Sequence, residues 1–203
     1  MIQLGSYFRF VLANRRLVGF GFAIAFASSY GQTFFIGVFG PSVQAEFGLS
    51  HTTWGTVYLV GTLCSALVLP WSGKLIDRLD LRHYTIAIFV LFVIACLVMA
   101  SATGAVTLAL AIFLLRQSGQ GLMSHVSMTT MARYFEEGRG RAIAIASLGF
   151  SVGEAVLPVI AVAGIAYLGW RVSYQVAGIS LAIFLAPICL WSLRGHGRGT
   201  PNC

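Results

Sequence analysis

Charged side chains are scarce in this sequence. Asp, Glu, Lys and Arg make up 9% of its 203 residues, whereas 58% are hydrophobic. About a quarter of the residues in a soluble globular domain are charged, so this composition excludes an ordinary soluble domain. Uncharged runs such as 17–45 and 83–115 exceed the roughly 20 residues that a membrane helix needs. None alternates with the period of a membrane β-barrel strand, so the sequence predicts an all-α membrane protein.

Motifs for metals, nucleotides and disulfides are also missing. No two of the four cysteines form a CxxC pair or a metal-ligand spacing. The sequence has no glycine-rich phosphate loop. We therefore expect neither a metal nor a cofactor. The formal charge of +7 could suggest a nucleic-acid partner, but the basic residues lie in short gaps between apolar runs, as topogenic signals do, so no such partner is expected.

The apolar runs define six predicted membrane spans. An N-terminal segment, 1–16, precedes them, and a tail or linker start, 194–203, follows. The spans lie at about residues 17–39, 54–72, 83–101, 106–130, 142–166 and 173–193.

Basic residues concentrate on one side of these spans. The termini and the gaps 73–82 and 133–141 hold 11 of the 13 Lys and Arg. The positive-inside rule therefore predicts a multi-pass protein of the inner (plasma) membrane with both termini cytoplasmic. The pair Arg15-Arg16 before an apolar run also resembles a secretory signal, but that run is too long for one.

A weak internal repeat links the two halves of the chain. Spans 1 and 4 each carry a polar, glycine-bearing block, at 28–32 and 117–121, and spans 2 and 5 each carry small residues followed by Pro70 or Pro158. Because spans 1 and 4 cross in opposite directions, the pattern predicts a three-plus-three inverted repeat, an arrangement at which transporters place binding sites. Chance is the alternative, since glycine is common in membrane helices.

Arg116 and Glu154 are ionisable residues inside predicted spans. An arginine near the middle of a span costs from about 2.5 to more than 10 kcal/mol, so such residues face a wet cavity or a partner and are functional candidates. The two side chains overlap in predicted depth. They either neutralise each other as a structural pair, or Arg116 holds an anionic solute while Glu154 carries a proton.

Other candidates accompany this pair. Polar side chains in the same blocks are expected to bond either a solute or a neighbouring helix; they are Tyr30, Gln32, Gln117 and Gln120. His125 is expected to be a packed, hydrogen-bonded residue rather than a proton relay.

Small residues and a charged turn suggest how the helices pack and move. Gly149 and Gly153 have the small-xxx-small spacing that lets helices approach closely, and Pro158 is expected to kink span 5. The turn 73–82 is either a topogenic loop or a charge network in which Asp77 meets a helix N-terminus or an arginine.

Together these motifs resemble the major facilitator superfamily. The resemblance rests on Gly73-x-x-x-Asp77-Arg78, on Arg116 with Gly119-Gln120-Gly121, on Gly149, Gly153 and Pro158, and on Gly169-Trp170-Arg171, in that order along the chain. The first two spans resemble those of bacterial organic-anion and monocarboxylate carriers. Asp80 and Leu81 depart from the pattern, since the family usually has glycine and a basic residue there.

The resemblance implies a fold and residue roles. The fold would be half of a twelve-helix transporter, with this chain as the N-terminal six-helix half. Gly73, Asp77, Arg78 and Arg82 would form a conformational loop, and Arg116 would line the cavity or couple protons.

The expected function is therefore half of a secondary transporter that moves a small, anionic organic solute by alternating access, with proton symport as one option. The expected partners are the lipid bilayer, the solute, and a second six-helix half or another copy of the chain. The alternative is a non-transporting fragment or assembly subunit. An intramembrane serine protease is disfavoured, because no serine stands in an activated context with His125.

Overall fold

The computed structural model describes residues 9–192. Residues 1–8 of the predicted N-terminal segment and the whole predicted tail, 194–203, lie outside the described residues. Six long helices follow one another: α1 Arg15–Phe47, α2 His51–Asp77, α3 Leu81–Ala100, α4 Ala105–Tyr134, α5 Arg139–Leu168 and α6 Trp170–Ser192.

The described residues contain five helices that are long and apolar enough to cross a membrane, α1 to α5. The α6 helix, which has 23 residues, follows where the sixth span was predicted. Most of the helices extend beyond the predicted spans, and side-chain caps fix the starts of two of them. Ser50 accepts the backbone N–H of Thr53 at the start of α2, and Asp80 accepts those of Arg82 and His83 at the start of α3.

Two helices are irregular near their middles. A 3₁₀ turn, Ser29–Gly31, and the extended backbone of Gln32 divide α1 into Arg15–Ser28 and Thr33–Phe47. A π-helical stretch, Arg116–Met123, interrupts α4. Both irregularities fall on the polar, glycine-bearing blocks noted in the sequence, and such breaks are frequent at functional sites.

Pairs of helices form the core. The most extensive contacts join α1 with α5, α2 with α4 and α1 with α4. The helices α2 and α5 are less buried than α1, α3 and α4. Each leaves one apolar side uncovered by the described residues, including Leu63 and Leu67 on α2 and Val152 and Val156 on α5.

Ion pairs join the helices at both ends of the bundle. At one end, which we call the basic end, Arg133 at the close of α4 pairs with Asp77 at the close of α2. At the opposite end, Arg171 pairs with Glu46, with 2.7 Å between guanidinium nitrogen and carboxylate oxygen. Arg171 also donates to the backbone carbonyls of Ala100 and Ala102, each at 2.7 Å, and so ties α1, α3 and α6 together.

Candidate functional site

Arg116 begins the π-helical stretch of α4 and is partly exposed. Its Nη1 donates a hydrogen bond of 2.8 Å to Thr33 Oγ1 of α1. Its guanidinium carbon lies 5.7 Å from the ring centroid of Tyr58 on α2, within the range of a cation–π interaction. The guanidinium is thus placed at the meeting of α1, α2 and α4. Neither described partner is an acid, so its charge stays uncompensated within the described residues.

Thr33 places the start of a helical segment beside Arg116. It is the first residue of the second helical segment of α1, and Gln32 before it makes no side-chain cap. The first N–H groups of that segment therefore have no intrahelical acceptor, and the helix dipole adds partial positive charge there. Thr33 is exposed. The guanidinium and this helix start together favour an anionic group.

Gln117 follows Arg116 in the chain, but its side chain joins two helices. It is buried, accepts a bond of 3.0 Å from Ser65 Oγ and donates one of 2.6 Å to Ser72 Oγ, both on α2. This is one of the two alternatives left by the sequence, a bond to a neighbouring helix. By fixing α4 against α2, Gln117 sets the direction in which Arg116 points.

Glu154 lies on an exposed side of α5. No ion pair within the described residues joins it to Arg116, so the structure does not form the predicted neutralising pair. The sequence placed both groups at similar depth, but depth along a helix does not fix direction around its axis. Glu154 instead faces away from the packed interior of the bundle.

The remaining polar candidates make different contacts. Tyr30 Oη lies 3.3 Å from Ser180 Oγ of α6, a helix-to-helix contact. Gln32 forms the break in α1 through its backbone, and its N–H donates to Ser29 O at 3.1 Å. Gln120 points towards α2, and its Oε1 is buried without a hydrogen-bond partner among the described residues.

The predicted conformational loop is divided among different contacts. Gly73 is buried beside His125, with 3.9 Å between the imidazole and the place where a Cβ would stand. Asp77 meets an arginine, Arg133, which also donates to Ile76 O at 3.4 Å. Arg78 is exposed, and Arg82 donates its backbone N–H to Asp80. The helix N-terminus at this turn is capped by Asp80 rather than by Asp77.

Asp80 lies outside the membrane spans, and the pKa of its carboxyl is lowered. Burial acts to raise the pKa of its carboxyl, but the N–H groups of His83 and Arg82 and the imidazole of His83 outweigh it and hold the pKa below the usual value. The cap is therefore a carboxylate at neutral pH.

The glycines predicted to pack do lie at a helix contact. A Cβ on Gly149 would stand 2.3 Å from Phe22 O, and one on Gly153 would stand 2.2 Å from Ser29 Oγ. The backbone of Phe22 and the side chain of Ser29 in α1 thus occupy the space that side chains of α5 would need. The α5 helix continues through Pro158 as one helix.

His125 differs from expectation. It is exposed and makes no hydrogen bond with any residue that the structure describes, so the prediction of a packed, bonded histidine is wrong. It lines an open cleft of about 600 Å³ between α2 and α4 towards the basic end. The sequence did not indicate this cleft, because residues of two helices, α2 and α4, form it together.

Several residues of the site were not predicted from the sequence. Thr33, Tyr58, Ser65 and Ser72 are uncharged residues within helices, where such side chains are common. Only their contacts with Arg116 and Gln117 single them out. The weak signal available was their polarity inside long apolar runs.

The chain matches the model of a known protein family. The family model described as Major Facilitator Superfamily matches residues 21–202. A search of curated protein sequences finds no match.

Proposed function

Because this chain belongs to the Major Facilitator Superfamily, it is a membrane transporter rather than an enzyme, and we propose that its solute is a small organic anion. The observation that carries the proposal is the hydrogen bond from Arg116 to Thr33. It sets a cation beside the uncapped start of a half-helix, and discontinuous membrane helices use such starts to hold anionic substrate groups. We extend the proposal to the bacterial organic-anion and monocarboxylate type of carrier, which the first two spans resemble.

Alternating access is the proposed mechanism. The break in α1 and the π stretch in α4 occupy corresponding positions of the predicted three-plus-three inverted repeat, and the α1–α5 and α2–α4 pairs also correspond under it. A six-helix body built in this way moves as a unit against a second body, with the solute held between them.

A second six-helix half, or another copy of the chain, is proposed to complete the cavity. Glu154 and the apolar sides of α2 and α5 support this, because the described residues leave them uncovered. A carboxylate near the middle of a membrane helix is costly against lipid, so a second body or a wet cavity should face it. Glu154 is then the candidate carrier of a symported proton.

The proposed location is the inner (plasma) membrane with both termini cytoplasmic. The support is the clustering of basic residues at the basic end, where Lys74, Arg78, Arg82, Arg133, Arg139 and Arg141 lie. The opposite end has Arg171 alone among the described Lys and Arg of its turns. The positive-inside rule orients the basic end towards the cytoplasm.

The test measures uptake of radiolabelled acetate, lactate, pyruvate and succinate by membrane vesicles from the native cells, in which the full chain is present with the second half or copy that completes the cavity. Wild type should accumulate at least one of them. Arg116→Ala should reduce that uptake by about a hundredfold, since a charge-assisted contact contributes about 1.5–3 kcal/mol. Arg116→Lys should retain part of it, because the charge remains while the planar fork is lost.

Arg139→Gln is the matched control, because Arg139 is an exposed arginine at the start of α5, away from Arg116. It should transport like wild type. Normal uptake by Arg116→Ala in correctly inserted protein would remove Arg116 from the site. No uptake and no binding of any of the four anions by wild type would favour the alternative of a non-transporting assembly subunit.

A further inference from the structure

An open cleft lies between α2 and α4, apart from the Arg116 site. Its volume of about 600 Å³ lies within the range of small-molecule sites. Its inner part is lined by Leu69 and Gln120, and its outer part by Lys74, Asp77 and His125. Nothing in the transport site described above uses these outer side chains.

Polar atoms inside the cleft lack partners. Gln120 Oε1 and Ser124 Oγ are both buried, and neither forms a hydrogen bond within the described part of the chain. Buried polar atoms in folded proteins are almost always bonded to protein or to water. These two oxygens therefore need a partner that the described residues do not supply.

The charges at the mouth of the cleft favour an anion. The carboxylate of Asp77 is already paired with Arg133. Lys74 is exposed and has no ion pair or hydrogen bond with any described residue. His125 adds two ring nitrogens without described partners. The free charge presented by the groups facing the cleft is thus positive.

The cleft lies further along α4 than Arg116, towards the basic end. Gln120 lies about one turn beyond Arg116 on α4, and Ser124 lies about one further turn beyond Gln120. These side chains form a polar path from the middle of α4 towards its basic end, opposite α2.

We propose that this cleft is a second binding site for the same solute, a small carboxylate, which it occupies between the Arg116 site and the aqueous phase at the basic end. Lys74 and His125 hold the carboxylate, and Gln120 and Ser124 bond the polar remainder of the solute or its water. The inference rests on the proposed function, since it assigns a second station to the anion that Arg116 binds.

An anionic lipid is the competing occupant. Its phosphate would also suit Lys74, but its acyl chain would then lie along Gln120 and Ser124. Setting unbonded polar oxygens against hydrocarbon is unfavourable. The unbonded oxygens of Gln120 and Ser124 therefore favour a small polar solute over an acyl chain.

The experiment compares wild type with Lys74→Gln, His125→Asn and the double variant. The full chain is reconstituted in vesicles of phosphatidylcholine alone and in vesicles with added phosphatidylglycerol. Binding and uptake of the anion that wild type takes up best, among acetate, lactate, pyruvate and succinate, are measured separately. The double variant should lose about tenfold in uptake rate in both lipids, the size expected when a charged hydrogen bond is removed. Its equilibrium affinity at the Arg116 site should remain within about twofold, a difference well under 1.4 kcal/mol.

Three results would overturn the proposal. Uptake by the double variant equal to wild type removes the site. A defect that appears only with phosphatidylglycerol assigns the cleft to a lipid headgroup. Binding lost in parallel with uptake shows that these side chains act through the Arg116 site. Arg139→Gln again serves as the control.

The experiments distinguish failure of the proposed function from failure of this inference. Its failure appears in wild type, as absence of uptake and binding for all four anions. Failure of the cleft proposal leaves wild-type uptake and its loss in Arg116→Ala intact.

Discussion

Gly31 of α1 and Gly119 of α4 touch backbone to backbone, so that a Cβ on Gly119 would stand 2.7 Å from Gly31 Cα. The contact joins the 3₁₀ turn of one helix to the π stretch of the other. Because the helices approach this closely, Arg116 reaches Thr33 directly. The irregular backbone and the cation thus form one unit.

This contact predicts that Gly119→Ala destabilises the bundle. The new Cβ would also stand 2.6 Å from Phe92 Cζ, so α1 or α3 must shift, which costs about 1–3 kcal/mol. Thermal unfolding in detergent should show Tm lower by about 2–4 °C for each kcal/mol lost. Gly19→Ala is the control, since a Cβ there meets nothing within 4 Å. Equal Tm values for the two variants would contradict the close crossing.

The α1–α5 contact predicts a graded response at Gly149. Phe22 O would lie 2.3 Å from an added Cβ, and backbone yields less readily than a side chain, so Gly149→Ala should destabilise by about 1–3 kcal/mol and Gly149→Leu by more. Denaturant titration in mixed micelles measures both. Gly140→Ala, in the first turn of the same helix and with open space around it, should be neutral or slightly stabilising. A Gly149→Leu variant as stable as wild type would show that the helices are not in contact here.

The ion pair at the end opposite the basic end predicts unequal effects of its two members. Arg171→Gln removes the bonds to Glu46 and to the carbonyls of Ala100 and Ala102, so it should cost about 2–3 kcal/mol. Glu46→Gln leaves those carbonyl bonds in place and should cost less. A double-mutant cycle should give a coupling of about 1 kcal/mol or below, because the pair is partly exposed. A coupling of zero would show that Arg171 acts through the carbonyls alone.

The cap of α3 predicts a pH dependence. Asp80→Ala should cost about 1 kcal/mol at neutral pH, whereas Asp80→Asn keeps a capping oxygen and should cost less. The folded pKa of Asp80 is lowered, so its stabilising contribution is complete above the usual value of 3.8 and is lost as pH falls through the folded value. The stability advantage of wild type over Asp80→Asn should therefore shrink below pH 3.8. An advantage that does not change with pH would exclude a charged cap.

The sequence predicted the all-helical class and the five membrane-capable helices that the structure describes. Long apolar runs need internal backbone hydrogen bonds in a membrane, and only helices supply them along one segment. The polar blocks at 28–32 and 117–121 were noted as polar, glycine-bearing stretches, but the irregular backbone there was not predicted. Helix ends were less accurate, because a cap such as Ser50 or Asp80 is a single short residue.

The sequence did not predict which way each side chain points around the axis of its helix. Arg116 and Glu154 share a predicted depth, yet one meets Thr33 and Tyr58 while the other faces outward from α5. Which side of α4 faces α2 depends on the π stretch and on the bonds of Gln117 to Ser65 and Ser72. The residues alone established that a cation lies within a membrane helix. Only the packing of three helices decided what surrounds it, because contacts between distant segments set the rotation of each helix.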